Sequence, residues 1–277
     1  MTDHRQAIAG VFDRAAPTYD SVGVEFFGAV GRRVVELAEL RRGERVLDVG
    51  SGRGASLFPA AEAVGPVGGV TGIDFAPAMV ALTLEEVRRR GLAHVEVEVM
   101  DAQEPRLPQA SYDVVLASLV AFFLPDPVAG LRAWRAATRP DGRLVLTTFS
   151  ARDDDRWAWL EEVLPMRDRR ASQPDEEESS PFDTAEGVHA LLLDAGWVDA
   201  SSADQRHEVT YDDPDQWLRW SWSHGMRMFW ERVPADHVDA ARELAVARLQ
   251  EMVARDGRLS NQMDVRYTTA SAGPLLT

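Results

Sequence analysis

The stretch Val46-Leu47-Asp48-Val49-Gly50-Ser51-Gly52-Arg53-Gly54 constrains this chain more than any other. Val46, Leu47 and Val49 form the apolar run of a strand covered on both faces, as in a parallel sheet. Gly50, Gly52 and Gly54 then let the backbone turn sharply and lie against a ligand with no Cβ in the way. Such a turn, at the carboxyl end of a strand and before a helix, is where open α/β sheets bind nucleotides. With Ala55 in sixth place, Gly50 to Ala55 fits the dinucleotide pattern G-x-G-x-x-G/A. Asp48 argues against a diphosphate. A carboxylate two residues before the first glycine repels phosphate and suits a cation near the loop, such as an ammonium or a sulfonium.

The apolar periodicity predicts strands at 45–50, 69–74, 94–100, 112–118 and 143–149. Helices are expected at 55–64, 76–90, 127–138 and 184–195, the last closed by Gly196. Strands alternating with helices of this length make βαβ units and a parallel sheet with right-handed crossovers. Two helices precede them. Residues 3–16 carry Ile8, Val11 and Phe12 on one face, with Thr2 or Asp3 as cap and Pro17 as the stop. The second, Val24 to Leu40, has Phe27, Val30, Val34, Leu37 and Ala38 at helical spacing.

The second strand ends on Asp74, 24 residues after Gly50, close to the spacing at which an acid meets ribose hydroxyls. A carboxylate accepts from both 2′- and 3′-OH; the alternative is a cap for the helix that follows.

Leu47 to Gly54 resembles the first motif of the class I S-adenosylmethionine-dependent methyltransferases, and further landmarks follow in the same order. They are Asp74, then Val99-Met100-Asp101-Ala102, then Tyr112 to Pro127, then Arg139-Pro140-Asp141-Gly142 before a strand. Phe12 to Asp20 is similar to the Phe-x-x-x-Ala-x-x-Tyr-Asp stretch of family members that act on quinones and like molecules, with one extra residue before Tyr19. The resemblance implies S-adenosyl-L-methionine as cofactor, S-adenosyl-L-homocysteine as product, and no metal. Its implied contacts are Tyr19 closing over the cofactor and the methionine part over Asp48, Gly50, Ser51 and Gly52. Phe75 and Met79 would flank the adenine, Asp101 and Ala102 would meet its edge, and the turn after Ser118 would floor the site. Bland alternatives stand beside these: Tyr19 pinning a turn, Asp101 as a turn residue.

The second half is less familiar. The acidic stretch 171–181 reads as an exposed loop. A sixth strand is expected within Val198 to Tyr211 and a seventh within Met263 to Ala270. Between them, 212–257 reads as two helices broken at Pro234. The first places Trp217, Trp220, Ser221, His224 and Met228 on one stripe, with Leu218, Trp222, Gly225 and Phe229 on the next, so it lines a cavity or is buried on several sides. The second carries Val238, Ala241, Leu244, Ala245, Leu249 and Val253 in one packing band. The expected architecture is therefore α/β: a seven-stranded Rossmann-like methyltransferase sheet, mostly parallel with the last strand antiparallel. Residues 1–40 form helices over the cofactor site, 41–211 and 258–277 the cofactor-binding core, and 212–257 a helical substrate cap between strands 6 and 7.

A net charge of −15 disfavours nucleic acid and anionic membrane as partners. The chain has no cysteine, which excludes a thiol nucleophile or a thiolate metal site. Neither a signal core nor a run of 18 apolar residues occurs, so a cytoplasmic protein is expected. The apolar helices at the amino terminus and in the cap leave a homo-oligomer open.

The leading function is in-line methyl transfer from S-adenosylmethionine to O, N or C of a small apolar acceptor, aromatic or prenylated, in specialised metabolism. Trp217, Trp220, His224 and Met228 would hold the acceptor, and His224 is the candidate general base, ahead of His207 and Tyr267. Two alternatives remain at this point: an NAD(P)-dependent oxidoreductase on the same glycine loop, and a non-catalytic S-adenosylmethionine-binding subunit.

Overall fold

A computed structural model of the chain describes residues 2–150, 157–164 and 180–273. The stretch expected as an acidic loop, 171–181, falls almost wholly outside them, as do the side chains of Thr2 and Asp3. The elements run α1 (Thr2–Ala15), α2 (Phe27–Ala38), β1 (Arg45–Val49), α3 (Leu57–Val64), β2 (Gly69–Asp74), α4 (Pro77–Arg89), β3 (Val95–Val99) and β4 (Tyr112–Ser118). Then come a 3₁₀ turn (Ala121–Phe123), α5 (Pro127–Ala137), β5 (Thr138–Phe149), α6 (Leu160–Val163), α7 (Ala185–Asp194) and β6 (Val198–Tyr211). The chain continues through α8 (Pro214–Trp222), α9 (Arg227–Trp230), α10 (Val238–Asp256) and β7 (Leu259–Ser271).

Seven strands form one sheet among the described residues, in the order β3-β2-β1-β4-β5-β7-β6. β1 to β5 are parallel, and β7 runs antiparallel to both β5 and β6. The expected sheet class is the one observed. Strand order reverses between β1 and β4, whose registers meet at Val46↔Val114. A crevice at the carboxyl ends of two such strands is the place where α/β sheets hold ligands.

Alternation along β1 divides the core between the two faces. Val46 joins Val30, Val34 and Leu57 from α2 and α3, whereas Leu47 and Val49 join Leu131, Trp134 and Leu192 from α5 and α7. Asp48 is on the Val46 face, 1% exposed. Two helices start on the same Asp-Pro signal. Asp126 accepts the Ala129 N–H at 3.0 Å and Asp213 the Gln216 N–H at 2.6 Å, each with proline in the first turn. Gly196, at φ +87°, follows α7 as expected.

Three expectations need correction. β5 begins at Thr138, and its register against β4 shifts between Tyr112 and Val114, so the Arg139–Gly142 turn is absorbed as an irregularity of the strand. The segment expected as one helix over 217–230 is two. Ser221 and Ser223 turn their hydroxyls back onto the Leu218 and Trp220 carbonyls, at 2.8 and 2.7 Å, and Gly225 follows. Hydroxyls bonded this way compete with the helical ladder, and α8 stops at Trp222. In α10 the buried stripe is Ala245, Leu249 and Met252, while Leu244 and Val253 face outward. No described helix is long and apolar enough to cross a membrane.

Candidate functional site

A cavity of about 440 Å³ opens at the carboxyl ends of β1, β2 and β4. One half is walled by the loop after β1 (Gly50, Gly52), the end of β2 (Asp74, Phe75) and the end of β4 (Ser118). Met79, Asp101, Ala102 and Tyr19 complete this half. All of these were singled out in the sequence as cofactor residues. Asp48 and Ser51 were too, but both are buried behind the loop and do not line the cavity.

The two loops at the switch point touch. A Cβ on Gly50 would meet Val120 Cγ2 at 2.5 Å, and Gly50 has φ +65°, so the close approach needs glycine twice over. A Cβ on Gly52 would meet nothing nearer than the Gly50 carbonyl at 3.9 Å, leaving room in the cavity for a ligand. Asp74 ties the loop down. Its Oδ2 accepts the Gly52 N–H at 2.8 Å and its Oδ1 the Ala76 N–H at 2.9 Å. It therefore meets the α4 entrance as well as the cavity. Asp101 Oδ1 accepts the Gln103 N–H at 2.9 Å and still lines the cavity.

Burial sets the electrostatics. Among the described residues Asp48 Oδ2 has no partner, and burial, with Asp74 close by, pushes the Asp48 carboxyl up to about 8. Burial raises Asp74 too, against the opposing pull of its backbone donors. Burial, then Asp20 and Asp74, raises the Tyr19 phenol, so it holds its proton. Both carboxyls under the glycine loop are costly to ionise with no cation beside them.

The other half is a sleeve of rings. Phe27 lies 4.9 Å from Tyr19 and 5.5 Å from His224, whose ring is 4.2 Å from Trp220, centroid to centroid. Phe149 stacks parallel to Phe26 at 6.3 Å and also meets Phe122 at 5.7 Å. Of the expected acceptor residues, Trp220, His224 and Met228 line the cavity. Trp217 does not: it is fully buried against Trp157 and Trp159, at 5.8 and 5.7 Å, and belongs to the core. Trp157 lines the cavity in its stead.

His224 does not suit the role of base. Burial lowers it to about 3, and Nδ1 accepts the Met226 N–H at 3.3 Å. His207 is bonded to Tyr267 at 2.9 Å, and neither lines the cavity.

Residues 40–196 match the family model described as a methyltransferase domain. The chain is 37% identical to nocamycin O-methyltransferase of Saccharothrix syringae over 278 aligned positions, 95% of this chain and 98% of the relative. The chain is an S-adenosylmethionine-dependent methyltransferase. It is also 44% identical to the aklanonic acid methyltransferase of Streptomyces sp. strain C5, over 53% of this chain and 67% of that one. The solved structure of the YcgJ protein of Bacillus subtilis shares the fold at 18% identity and a TM-score of 0.60, over 88% of this chain and 97% of that one.

With the methyltransferase family established, the nicotinamide reading of Gly50–Ala55 falls. The residues leave room for the family's cofactor: Gly52 leaves open space where a side chain would stand, and Asp74 lines the same cavity. What the sequence did not mark is most of the sleeve. Phe26, Phe149, Met226 and Met263 reach one wall from four separate parts of the chain. Their only local trace is aromatic or thioether residues at element ends, such as Phe149 closing β5.

Proposed function

We propose that this methyltransferase acts on a small apolar acceptor of aromatic character, in specialised metabolism, seated in the sleeve between α2, α8, α9 and the ends of β5 and β7. One observation carries the reading. A single cavity runs from the glycine loop and Asp74 to Trp220 and His224, so both reactants meet without crossing solvent. The names of the two relatives, an O-methyltransferase of nocamycin and a methyltransferase of aklanonic acid, support a small-molecule acceptor.

S-adenosylmethionine supplies a methyl group activated on a sulfonium. The chain's own residues bind, align and dry the site. In this reading Asp74 takes the ribose hydroxyls on the lone pairs its backbone donors leave, and Phe75 and Met79 flank the adenine. Asp48 gives counter-charge to the amino acid end. Residues 1–40 serve as the lid, 212–257 as the acceptor cap, and 41–211 with 258–277 as the core. The ring faces of Tyr19 and Phe27 attract a cation and exclude water.

The test is a mass-spectrometric screen with the purified enzyme and S-adenosylmethionine over phenols, aromatic acids, quinones, indoles and prenylated compounds. A gain of one methyl on aromatic members supports the reading. Methylation confined to small hydrophilic amines or alcohols would overturn it.

A further inference from the structure

Side chains along β4 alternate between the two faces of the sheet. Val114 and Leu116 pack with α2 and the cap helices, Val115 and Ala117 with α5 and α7. The two residues after the strand break that order. Continued alternation would put Leu119 beside Val115 and Ala117, and Val120 beside Val114 and Leu116. The reverse is found: Leu119 packs against the cluster of Val114 and Leu116, and Val120 against that of Val115 and Ala117. The cause is the backbone at Leu119, whose φ is +53°.

A left-handed backbone is costly for a bulky apolar residue. Among the described residues four other non-glycines share it: Asp20, Glu39, Ala110 and Asp199. Two of these are aspartates, a type that tolerates the conformation. Glu39 closes α2, where helices often end left-handed, and Ala110 carries only a methyl group. None of the four lines the cavity; Leu119 does, and it is half-buried. Two contacts hold it. Its N–H donates at 3.0 Å to Oγ1 of Thr147, a fully buried residue that pairs with Ser118 across β5. Val120, sent to the other face, closes on Gly50, where a Cβ would meet its Cγ2 at 2.5 Å. Strain of this kind persists where the surroundings impose it, and it concentrates at functional sites.

We infer that Leu119 is a specificity-determining residue: its strained backbone turns the side chain out of the α5 face and into the cavity, where it limits how deep the acceptor's ring system can enter. This rests on the aromatic-acceptor reading above. The neighbours fix the place. Ser118 lines the glycine-loop half and Phe122 the sleeve, with Leu119 between them in the chain. Phe27, Phe149 and Met226 of the sleeve pack against the same cluster as Leu119. An isobutyl group brings neither proton nor charge, so it acts by shape. Holding the acceptor at one depth is what alignment for an in-line displacement requires. A chain that kept the alternation would send this side chain to the α5 face and leave the cavity deeper.

Two measurements on the full-length enzyme test this. Leu119→Ala and Leu119→Gly both remove the branched part of the side chain, and only glycine is free of the left-handed cost. Leu119→Gly should therefore melt above Leu119→Ala, by about 2–4 °C. At an unstrained position alanine is the more stable of the two, and that order would overturn the inference. In the second, the probes are 2-naphthol and the longer 2-hydroxyanthracene, their binding followed by probe fluorescence with S-adenosylhomocysteine bound. Leu119→Ala should shift the ratio of their affinities toward the anthracene by at least about fivefold. Leu119→Met, which keeps the volume, should hold the parent ratio. S-adenosylhomocysteine should bind both variants within about threefold of the parent, a change worth less than 1 kcal/mol. A ratio unmoved in Leu119→Ala, the same shift in Leu119→Met, or a larger loss of S-adenosylhomocysteine affinity would overturn the role. If neither probe binds the parent while S-adenosylhomocysteine does, the aromatic-acceptor reading itself fails; if both bind and the ratio stays, only the role of Leu119 does.

Discussion

The Asp13 carboxylate, on α1, accepts the Ala78 N–H in the first turn of α4 at 2.8 Å. α4 has no side-chain cap of its own, since Ala76 stands at the cap position. A donor freed at the helix start is therefore satisfied by a residue 65 positions earlier. The same turn of α4 places Met79 in the cavity, so the contact docks α1 where the cofactor is expected to lie. Asp13→Ala should cost about 1 kcal/mol of stability, the usual worth of a helix cap. It should also weaken S-adenosylmethionine binding severalfold. Calorimetric titration checks this; an unchanged affinity would mean α1 takes no part in holding the cofactor.

Asp74 makes a sharper test. Its carboxylate ties Gly52 and Ala76 and has lone pairs left for two hydroxyls. Hydrogen bonds to a charged group contribute about 1.5–3 kcal/mol each, so losing two corresponds to roughly a hundredfold or more in affinity. Asp74→Ala should therefore bind S-adenosylmethionine at least about a hundredfold more weakly. Affinity within a factor of three of the parent would remove Asp74 from the site.

The sheet and the glycine-loop half of the site were legible because their signals are local. β1 announces itself by an apolar run, the loop by its glycines, and Asp74 by its position at a strand end. The acceptor half was not, for two physical reasons. Its wall is assembled by long-range packing: Phe26 meets Phe149 across more than a hundred residues of chain. And a helical stripe holds only as far as the helix. The Ser221 and Ser223 hydroxyls end α8 before His224, so Trp217 and Met228 do not share the face that a continuous helix would give them. Trp217 goes to the core and Met228 to the cavity.

The tryptophans three residues apart should therefore respond differently to the same change. Trp217→Phe and Trp220→Phe each remove part of a fully buried indole. Each should lower stability by about 1–3 kcal/mol through lost packing. Only Trp220→Phe should raise the KM for the acceptor, because only Trp220 lines the cavity. Denaturant unfolding beside steady-state kinetics separates them; a matching KM effect in Trp217→Phe would place both in the acceptor wall.

Asp48 predicts a pH dependence of cofactor binding. Its carboxyl is raised to about 8 in the free protein, first by burial and then by Asp74. Between the ordinary carboxylate value near 4 and about 8 the native state holds a proton that the unfolded chain has lost. The stability it contributes is thus full below pH 4 and lost as pH rises through 8. A cation bound near the loop favours the carboxylate and expels that proton. S-adenosylmethionine affinity should rise between pH 6 and 8, by up to about tenfold per unit, and level off above. Calorimetry in buffers of different ionisation enthalpy should register proton release at pH 7. Asp48→Asn should flatten the profile; the same slope in that variant would assign the proton elsewhere.

The neighbouring residue on α1 makes the opposite contact. Arg14 Nε donates to Glu231 Oε1 at 2.8 Å, and Arg227 Nε donates to the same oxygen at 2.7 Å. Arg227 Nη1 also reaches the Arg14 carbonyl at 3.1 Å. α1 is thereby clasped to α9, with Asp13 holding α4, and Ile8 and Phe12 of the same helix line the cavity. Arg14 is half exposed, so the pair stabilises the fold by less than about 1 kcal/mol. Its effect should be seen instead in opening. Glu231→Gln should leave the unfolding midpoint nearly unchanged while speeding release of S-adenosylhomocysteine severalfold. High salt should reproduce the effect in the parent and add little in the variant, since screening and substitution remove the same attraction. Stopped-flow release traces at low and high salt decide it: identical rates in parent and variant would leave α1 a fixed wall with no part in opening.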